Sequence, residues 1–223
     1  MRPAYRGKRK EDIRNMKKSM TVYYEVDGAL YVNLTNRCNN NCEFCIRKNG
    51  DGAYGSDPLW LEREPTEEEA LSMLSDVDLS LYRELVFCGY GEPTVRLELC
   101  QKIASEVKRV RPEMPIRMNT NGMSDLYFGE NTAPKYAGFF DTVSISLNAP
   151  NSQKYDEMCH PVYHLSAFDG ILSFAKNVKN CVQNTVFTVV GDFLSPAEIE
   201  ECGEIAERLG IPLRVRTYIA PEN

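Results

Sequence analysis

The stretch that most constrains the fold is TVSISLNAP, residues 142–150. Val143, Ile145 and Leu147 alternate there with Ser144, Ser146 and Asn148. Side chains of a strand point to opposite faces with period two, so this strand has one apolar face and one polar face. The pattern recurs. Ile116 and Met118 alternate with Arg117, Asn119 and Asn121, and Leu30, Val32 and Leu34 with Tyr31, Asn33 and Thr35. Near the end, Leu213, Val215 and Ile219 are set against Arg214, Arg216 and Tyr218. Strands covered by helices on both faces read as near-continuous apolar runs, and these do not. The apolar half is expected under helices. The polar half needs hydrogen-bonding partners if it is buried, and a barrel lumen filled by a polar ligand would supply them. The alternative is an antiparallel or edge sheet with one wet face. Helical segments between nearly all the strands argue against it.

Those helices are legible. PTEEEALSMLSDV (residues 65–77) opens with Pro65, Thr66 and three glutamates, a good helix start. Residues 96–112 form an amphipathic pattern ended by Pro112, and residues 165–180 read as helical. Residues 195–210 have Ser195 as cap, Pro196 at the first helical position and Gly210 as stop. Strands are expected at 30–35, 84–89, 116–122, 142–150, 184–191 and 212–219. Asp27-Gly28 is a short hairpin turn signal that adds an antiparallel arm before the first of them. The fold class is therefore α/β: a partial (β/α)6 TIM-like barrel of parallel strands, preceded by a short N-terminal β-hairpin arm. Residues 46–64, with Gly50, Gly52 and Gly55 before Trp60, are the least regular segment, and long loops of this kind are usually functional or mobile.

The 223 residues suit one domain, and 43% hydrophobic content is ordinary for a globular chain. No run approaches the roughly 20 apolar residues that span a bilayer, and the basic N-terminus has no apolar run behind it, so no membrane partner and no secretory signal are expected. The cytoplasm is the expected location. Eight cysteines there read as ligands or buried small hydrophobes. Asn33-Leu34-Thr35 matches a glycosylation sequon but lies in an apolar strand, and is set aside. Residues 1–20 carry eight basic side chains against two acidic ones, a net +6, leaving −12 for the other 203. Residues 1–20 are expected as a flexible basic arm and 21–223 as the folded domain. A nucleic-acid partner is not expected, because the acidic body would repel one.

The motifs fall at strand ends. TNRCNNNCEFC places Cys38, Cys42 and Cys45 in a C-x3-C-x2-C run after the first parallel strand, with no fourth cysteine before Cys88. A closed zinc site and a fully thiolate-ligated cubane cluster each want four ligands. CGYGEPT (88–94) follows the next strand, then NTNG, then SLNAP. Ligands of β/α folds bind at that end of the sheet, so these stretches converge on one site. Gly89 and Gly91 let backbone approach a ligand closely. Glu92 offers an acceptor to a cationic group. Asn119, Ser144, Ser146 and Asn148 offer the neutral hydrogen bonds that a ribose or a carboxylate needs.

The cysteine run with Phe44 before its last cysteine, followed by GYGEP after the next strand, resembles the radical S-adenosylmethionine (SAM) superfamily. Within it, NLTNRC, FCIRKN, LWLEREP, FCGYGEPT, NTNG, SISLNAP and RVRTYI resemble the TatD-associated radical SAM proteins, over about residues 21–220. The resemblance implies that Cys38, Cys42 and Cys45 hold three irons of a [4Fe–4S] cluster and leave the fourth to SAM. The cluster's electron then splits SAM into methionine and a 5′-deoxyadenosyl radical, which takes a hydrogen atom from a substrate. It also implies that Phe44 shields the cluster or touches adenine. Gly89, Tyr90, Gly91, Glu92 and Pro93 would bind the SAM amino group, and Asn119, Ser144, Ser146 and Asn148 would line its ribose or carboxylate. Tyr90 departs from the glycine common at that position. An electron donor such as flavodoxin or ferredoxin, a small-molecule or protein substrate, and a functional link to a TatD-type nuclease follow by the same resemblance.

The remaining residues carry less. Cys88, Cys100, Cys159, Cys181 and Cys202 read as scattered structural thiols, with Cys88 set apart by its place beside the glycine motif. His160 and His164 cannot clasp a metal as a helical pair, because Pro161 interrupts the helix. Arg117, Arg214 and Arg216 are candidates for an anionic substrate, against internal pairing with acids such as Glu43 or Glu92. Activation of a partner protein's glycyl radical is the alternative within enzymes. A non-catalytic metal or iron–sulfur binding module is the alternative of another class.

Overall fold

The structure, a computed structural model, describes residues 16–220. Seven strands form one sheet in chain order: β1 (Tyr23–Val26), β2 (Ala29–Val32), β3 (Leu85–Phe87), β4 (Ile116–Thr120), β5 (Thr142–Ser146), β6 (Asn184–Val190) and β7 (Leu213–Arg216). β1 and β2 pair antiparallel, and every later pair is parallel. Asp27 and Gly28, at φ 49° and 71°, make the two-residue turn between the first two. One cavity of about 670 Å³ touches every strand or the residue just past its end. Laid flat, seven strands about 4.8 Å apart would span roughly 29 Å, too wide for one such cavity. The sheet must therefore curl around it, as an open barrel does.

Six helices connect the strands: α1 (Glu67–Ser75), α2 (Leu97–Val110), α3 (Ser124–Phe128), α4 (Ser152–Cys159), α5 (Ser166–Val178) and α6 (Pro196–Leu209). Thr66 and Glu69 close a reciprocal capping box on α1, and Ser195 and Glu198 close one on α6. Gly210, at φ 62°, ends α6. α2 buries Cys100, Ile103, Ala104 and Val107, and α5 buries Phe168, Ile171, Phe174 and Val178. These helices cover the sheet face that carries Ile116, Met118, Val143 and Ile145, each fully buried. α3 and α4 were not expected from the sequence. α4 does have a cap, since the Asn151 side chain accepts from Lys154 N.

Two expectations need correction. Val215 and Ile219 were to face helices, but Val215 is half exposed, and Ile219 lies past the end of β7 and lines the cavity. Residues 46–64 form a second, smaller core: Ala53, Leu59 and Trp60 pack with Met16, Tyr24, Val26 and Tyr90. Asn49 Nδ2 donates to Ile219 O at 2.7 Å, and Tyr218 Oη donates to Asn49 Oδ1 at 3.1 Å. The loop thereby clasps the chain after β7, across the gap between the sheet's two edges. Of the basic arm, residues 1–15 lie outside the described residues. Residues 16–20 are docked, with Ser19 N donating to Trp60 O at 3.0 Å. Among the described residues no helix is long and apolar enough to cross a membrane.

Candidate active site

β2 runs into a segment that is stapled residue by residue. Asn33, fully buried, donates from Nδ2 to Leu59 O at 2.8 Å and accepts at Oδ1 from Tyr90 N at 3.3 Å, so its side chain is no glycosylation acceptor. Thr35 Oγ1 donates to Glu64 Oε1 at 2.5 Å, and Asn36 bonds both backbone groups of Leu61. Arg37 Nε reaches Glu64 Oε1 at 2.6 Å. The cysteine loop that follows rests on the end of α4: Asn41 N donates to Cys159 O and Glu43 N to Met158 O, each at 2.9 Å. Asn40 Nδ2 donates to Tyr155 Oη at 2.9 Å. Cys38, Cys42 and Cys45 all line the cavity.

The three thiols are held in their protonated form. Burial, with Glu92 adding to it, pushes Cys38 up to about 12. The Cys159 thiol beside Cys42, and burial after it, raise Cys42 well above its usual value. Burial raises Cys45. Ligation must displace those protons. Among the described residues no three His, Cys, Asp or Glu side chains converge tightly enough for a single metal ion.

The glycine motif after β3 packs tightly against the β2 segment. A Cβ on Gly89 would overlap the Asn33 side chain, and one on Gly91 would overlap the carbonyl oxygens of Thr35 and Arg37. The close approach that requires glycine is thus to the protein's own chain, and both glycines also line the cavity. Tyr90 turns its ring onto Trp60 at 5.4 Å and donates from Oη to Gly50 O and Gly52 O. It anchors the 46–64 loop, which a glycine there could not do. Pro93 is buried at the cavity wall.

Glu92 is 5% exposed and reaches the cavity. Its Oε1 accepts from Thr94 N, Thr94 Oγ1 and Thr120 Oγ1, and Oε2 accepts from Asn121 N at 2.8 Å. Burial raises its pKa, and the bonds from Thr120 and Thr94 oppose that shift. No cation of the described residues stands within ion-pair distance of it. A buried carboxylate without a counter-ion beside a cavity has a charge that a cationic group would complement.

Asn119, Ser146 and Asn148 line the cavity, and Phe44 joins them, with its ring 5.2 Å from Phe193. Ser144 is buried on the same strand face but does not reach the cavity wall. Asn148 adopts φ 57°, a left-handed backbone that asparagine tolerates. Six buried side-chain atoms of the described residues have no hydrogen-bond partner, and four of them belong to cavity residues: Asn40 Oδ1, Asn119 Oδ1, Asn121 Nδ2 and Asn148 Oδ1. Each unmet group costs about 1–3 kcal/mol. Three thiols at one end, a lone carboxylate and four orphaned amide atoms suit an iron–sulfur cluster with a polar, amine-bearing ligand beside it.

Arg117, Arg214 and Arg216 also line the cavity. Of these, Arg117 is already paired, because Glu84 takes it in a two-pronged pair at 3.0 and 3.2 Å. That corrects its reading as a free substrate contact, and the partner is neither Glu43 nor Glu92. Arg214 and Arg216 line the cavity with no carboxylate of the described residues in ion-pair range. Cys88 lines it too, its thiol raised by burial while Asn119 and Arg216 act in the opposite direction. His160 and His164 are surface residues 3.7 Å from Glu43 and Asp156.

The family model of the radical SAM superfamily matches residues 32–206, and the chain belongs to that superfamily. Members carry a [4Fe–4S] cluster and use SAM, and the chain is an enzyme of this class. It is similar to a GTP 3′,8-cyclase of Paenarthrobacter nicotinovorans, 29% identical over 57% of this chain and 33% of that protein. It is also similar to a probable GTP 3′,8-cyclase of Thermococcus kodakarensis, 25% identical over 86% of this chain and 57% of that one. The chain spans only 33% to 57% of the length of such relatives. Among solved structures, a radical SAM methyltransferase from Sphaerobacter thermophilus superposes with TM-score 0.60 at 16% identity, over 87% of this chain and 68% of its own. Streptococcus suis SuiB bound to S-adenosylmethionine does so with TM-score 0.59 at 16% identity, over 86% and 39%. These two show the shared fold.

Proposed function

We propose that this enzyme abstracts hydrogen from an anionic substrate held against Arg214 and Arg216. Cys38, Cys42 and Cys45 would ligate the cluster. Glu92 would take the amino group of SAM, while Asn119, Ser146 and Asn148 bond its ribose and carboxylate. When bound, the cluster and SAM together supply the reductive cleavage that starts the reaction. The chain's own residues orient SAM, exclude water and hold the substrate. The observation that carries the substrate reading is the pair of cavity arginines with no carboxylate of the described residues in ion-pair range. Guanidinium groups suit two-pronged contact with a carboxylate or phosphate. The curated relatives are named for a reaction on GTP, a polyanion of that chemistry, so GTP is the first probe.

The motifs quoted above support a place among the TatD-associated radical SAM proteins and, with it, a link to a TatD-type nuclease. The reduced thiols of the site fit the cytoplasm, where flavodoxin or ferredoxin would deliver the electron.

The test is an anaerobic assay of reconstituted enzyme with SAM, a reductant and GTP or other candidate anions, reading substrate-derived deuterium in 5′-deoxyadenosine. Arg216→Lys should leave uncoupled SAM cleavage intact and cut substrate-dependent turnover at least tenfold. Unchanged turnover in an Arg214→Ala/Arg216→Ala double variant would refute the role.

A further inference from the structure

Six aromatic side chains line the cavity: Tyr24, Tyr31, Phe44, Tyr54, Tyr90 and Tyr218. Five of them are engaged by another ring. Tyr24 and Tyr31 lie 5.3 Å apart, Phe44 and Tyr218 each lie 5.2 Å from Phe193, and Tyr90 rests on Trp60. Tyr54 has no ring partner among the described residues, and its hydroxyl makes no hydrogen bond to them. It is 49% exposed.

The backbone holds that free ring in place. Ser56 N donates to Ala53 O at 3.0 Å, and the two residues between them, Tyr54 and Gly55, have φ of 56° and 75°. Positive φ at both central positions is the pattern of a type I′ turn, which favours asparagine and glycine. A bulky side chain there is strained, and strain of this kind clusters at ligand sites. The turn is also fixed from outside. Ala53 N donates to Ser56 Oγ at 3.2 Å, Tyr90 Oη bonds Gly50 O and Gly52 O, and a Cβ on Gly52 would meet Ser56 O at 2.5 Å. Through the bond from Asn49 to Ile219 O, the same loop grips the chain just past Arg216. A rigid turn thus sets one unpartnered ring in the wall of the cavity that Arg214 and Arg216 also line.

We infer that Tyr54 is a specificity-determining residue whose ring stacks on a planar ring of the substrate. The substrate class is then an anion that bears a planar ring, and a nucleotide is its simplest probe. This rests on the reading that Arg214 and Arg216 hold an anion. Tyrosine suits the task, since it supplies a large contact face with only two side-chain torsions to order. Every base presents a π-face to such a ring. Size agrees. Small-molecule sites run from about 300 to 1,000 Å³. The cavity of about 670 Å³ has to take SAM and substrate together, which leaves room for a partner about the size of SAM itself.

The test is titration calorimetry on anaerobically reconstituted, oxidised enzyme saturated with SAM, so that the adenine subsite is filled. The probes are guanosine 5′-monophosphate and ribose 5-phosphate, which differ in the base. Wild type should bind the nucleotide about tenfold more tightly, the scale of one base stacked on an aromatic side chain. Tyr54→Phe should keep that preference. Tyr54→Asn supplies a residue that the turn favours, so its melting temperature should be equal or higher. Its preference for the nucleotide should be lost, while its affinities for ribose 5-phosphate and SAM stay as in wild type. No preference in wild type, no binding of the nucleotide, a preserved preference in Tyr54→Asn or a lower melting temperature there overturns the inference. Weaker SAM binding in Tyr54→Asn assigns the ring to adenine and overturns it too. The Arg214→Ala/Arg216→Ala variant tests the underlying reading separately. It should weaken both probes alike and keep the preference between them, and unchanged affinities there refute the anion contact whatever Tyr54 does.

Discussion

On the helix side of the sheet, Ile116, Met118, Val143, Ile145, Phe187 and Val189 are all fully buried in one apolar cluster. On the cavity side, the same strands carry Arg117, Asn119, Ser146 and Thr188, and that side holds four of the six orphaned buried atoms. The first face is complete as it stands. The second is complete only with a guest. At about 25 cal/mol per Å² of buried apolar surface, the helix side carries the stability, which lets the cavity side keep its unmet groups. Substitutions on the two faces should therefore fail in different assays.

Cysteine provides the sharpest version, because the same residue type lies in both environments. Alanine at Cys38, Cys42 or Cys45 should abolish cluster absorbance and SAM cleavage after anaerobic reconstitution. Alanine at Cys100 or Cys202, both fully buried away from the cavity, should leave both intact. Lost absorbance in a folded Cys100→Ala protein would break the division between the faces.

Glu92 probes the boundary. Glu92→Gln keeps the shape and removes the charge, and should weaken SAM binding by about 1.5–3 kcal/mol, the scale of a charge-assisted hydrogen bond, with iron content unchanged. The pKa of Glu92 is raised, so the carboxylate takes up its proton at a higher pH than an ordinary one. SAM affinity of the wild type should therefore decline as pH falls through that range, while Glu92→Gln stays flat. Titration calorimetry across pH reads both, and equal affinities would remove Glu92 from the SAM site.

The smallest effect lies on the surface. The Ser195–Glu198 box caps α6, and Glu198 is held down to about 2 by the Ser195 amide and Lys154. A carboxylate depressed in the folded state lends stability that is present above its ordinary range near pH 4.5 and lost as pH falls through the folded value. Glu198→Gln should cost about 1 kcal/mol at neutral pH, less toward pH 2, and leave cluster and SAM binding untouched. A urea titration at two pH values measures it.

How far the sequence could be read follows the same division. Period-two alternation revealed both faces of β2, β4 and β5, and capping signals placed α1 and α6. α4 escaped notice because an eight-residue helix has little local stability, and Asn151 was its only clear signal. The cysteines and the glycine motif were legible as local spacing. Glu84 as the partner of Arg117 was not, since that contact depends on the register of β3 against β4, in which Val86 faces Arg117. Tyr90 looked like a departure from a family pattern, and its reason lies 38 residues away at Gly52.

The dock of the cysteine loop on α4 has a consequence for synthesis. Asn40 and its partner Tyr155 are 115 residues apart. At about 5–20 residues per second, the three cysteines leave the ribosome roughly 6–23 seconds before the helix that holds them exists. During that interval they are ordinary thiols on an unfinished sheet. If the three cysteines hold the cluster as proposed, the seat that α4 gives their loop exists only after that interval, and iron is expected to enter the finished fold.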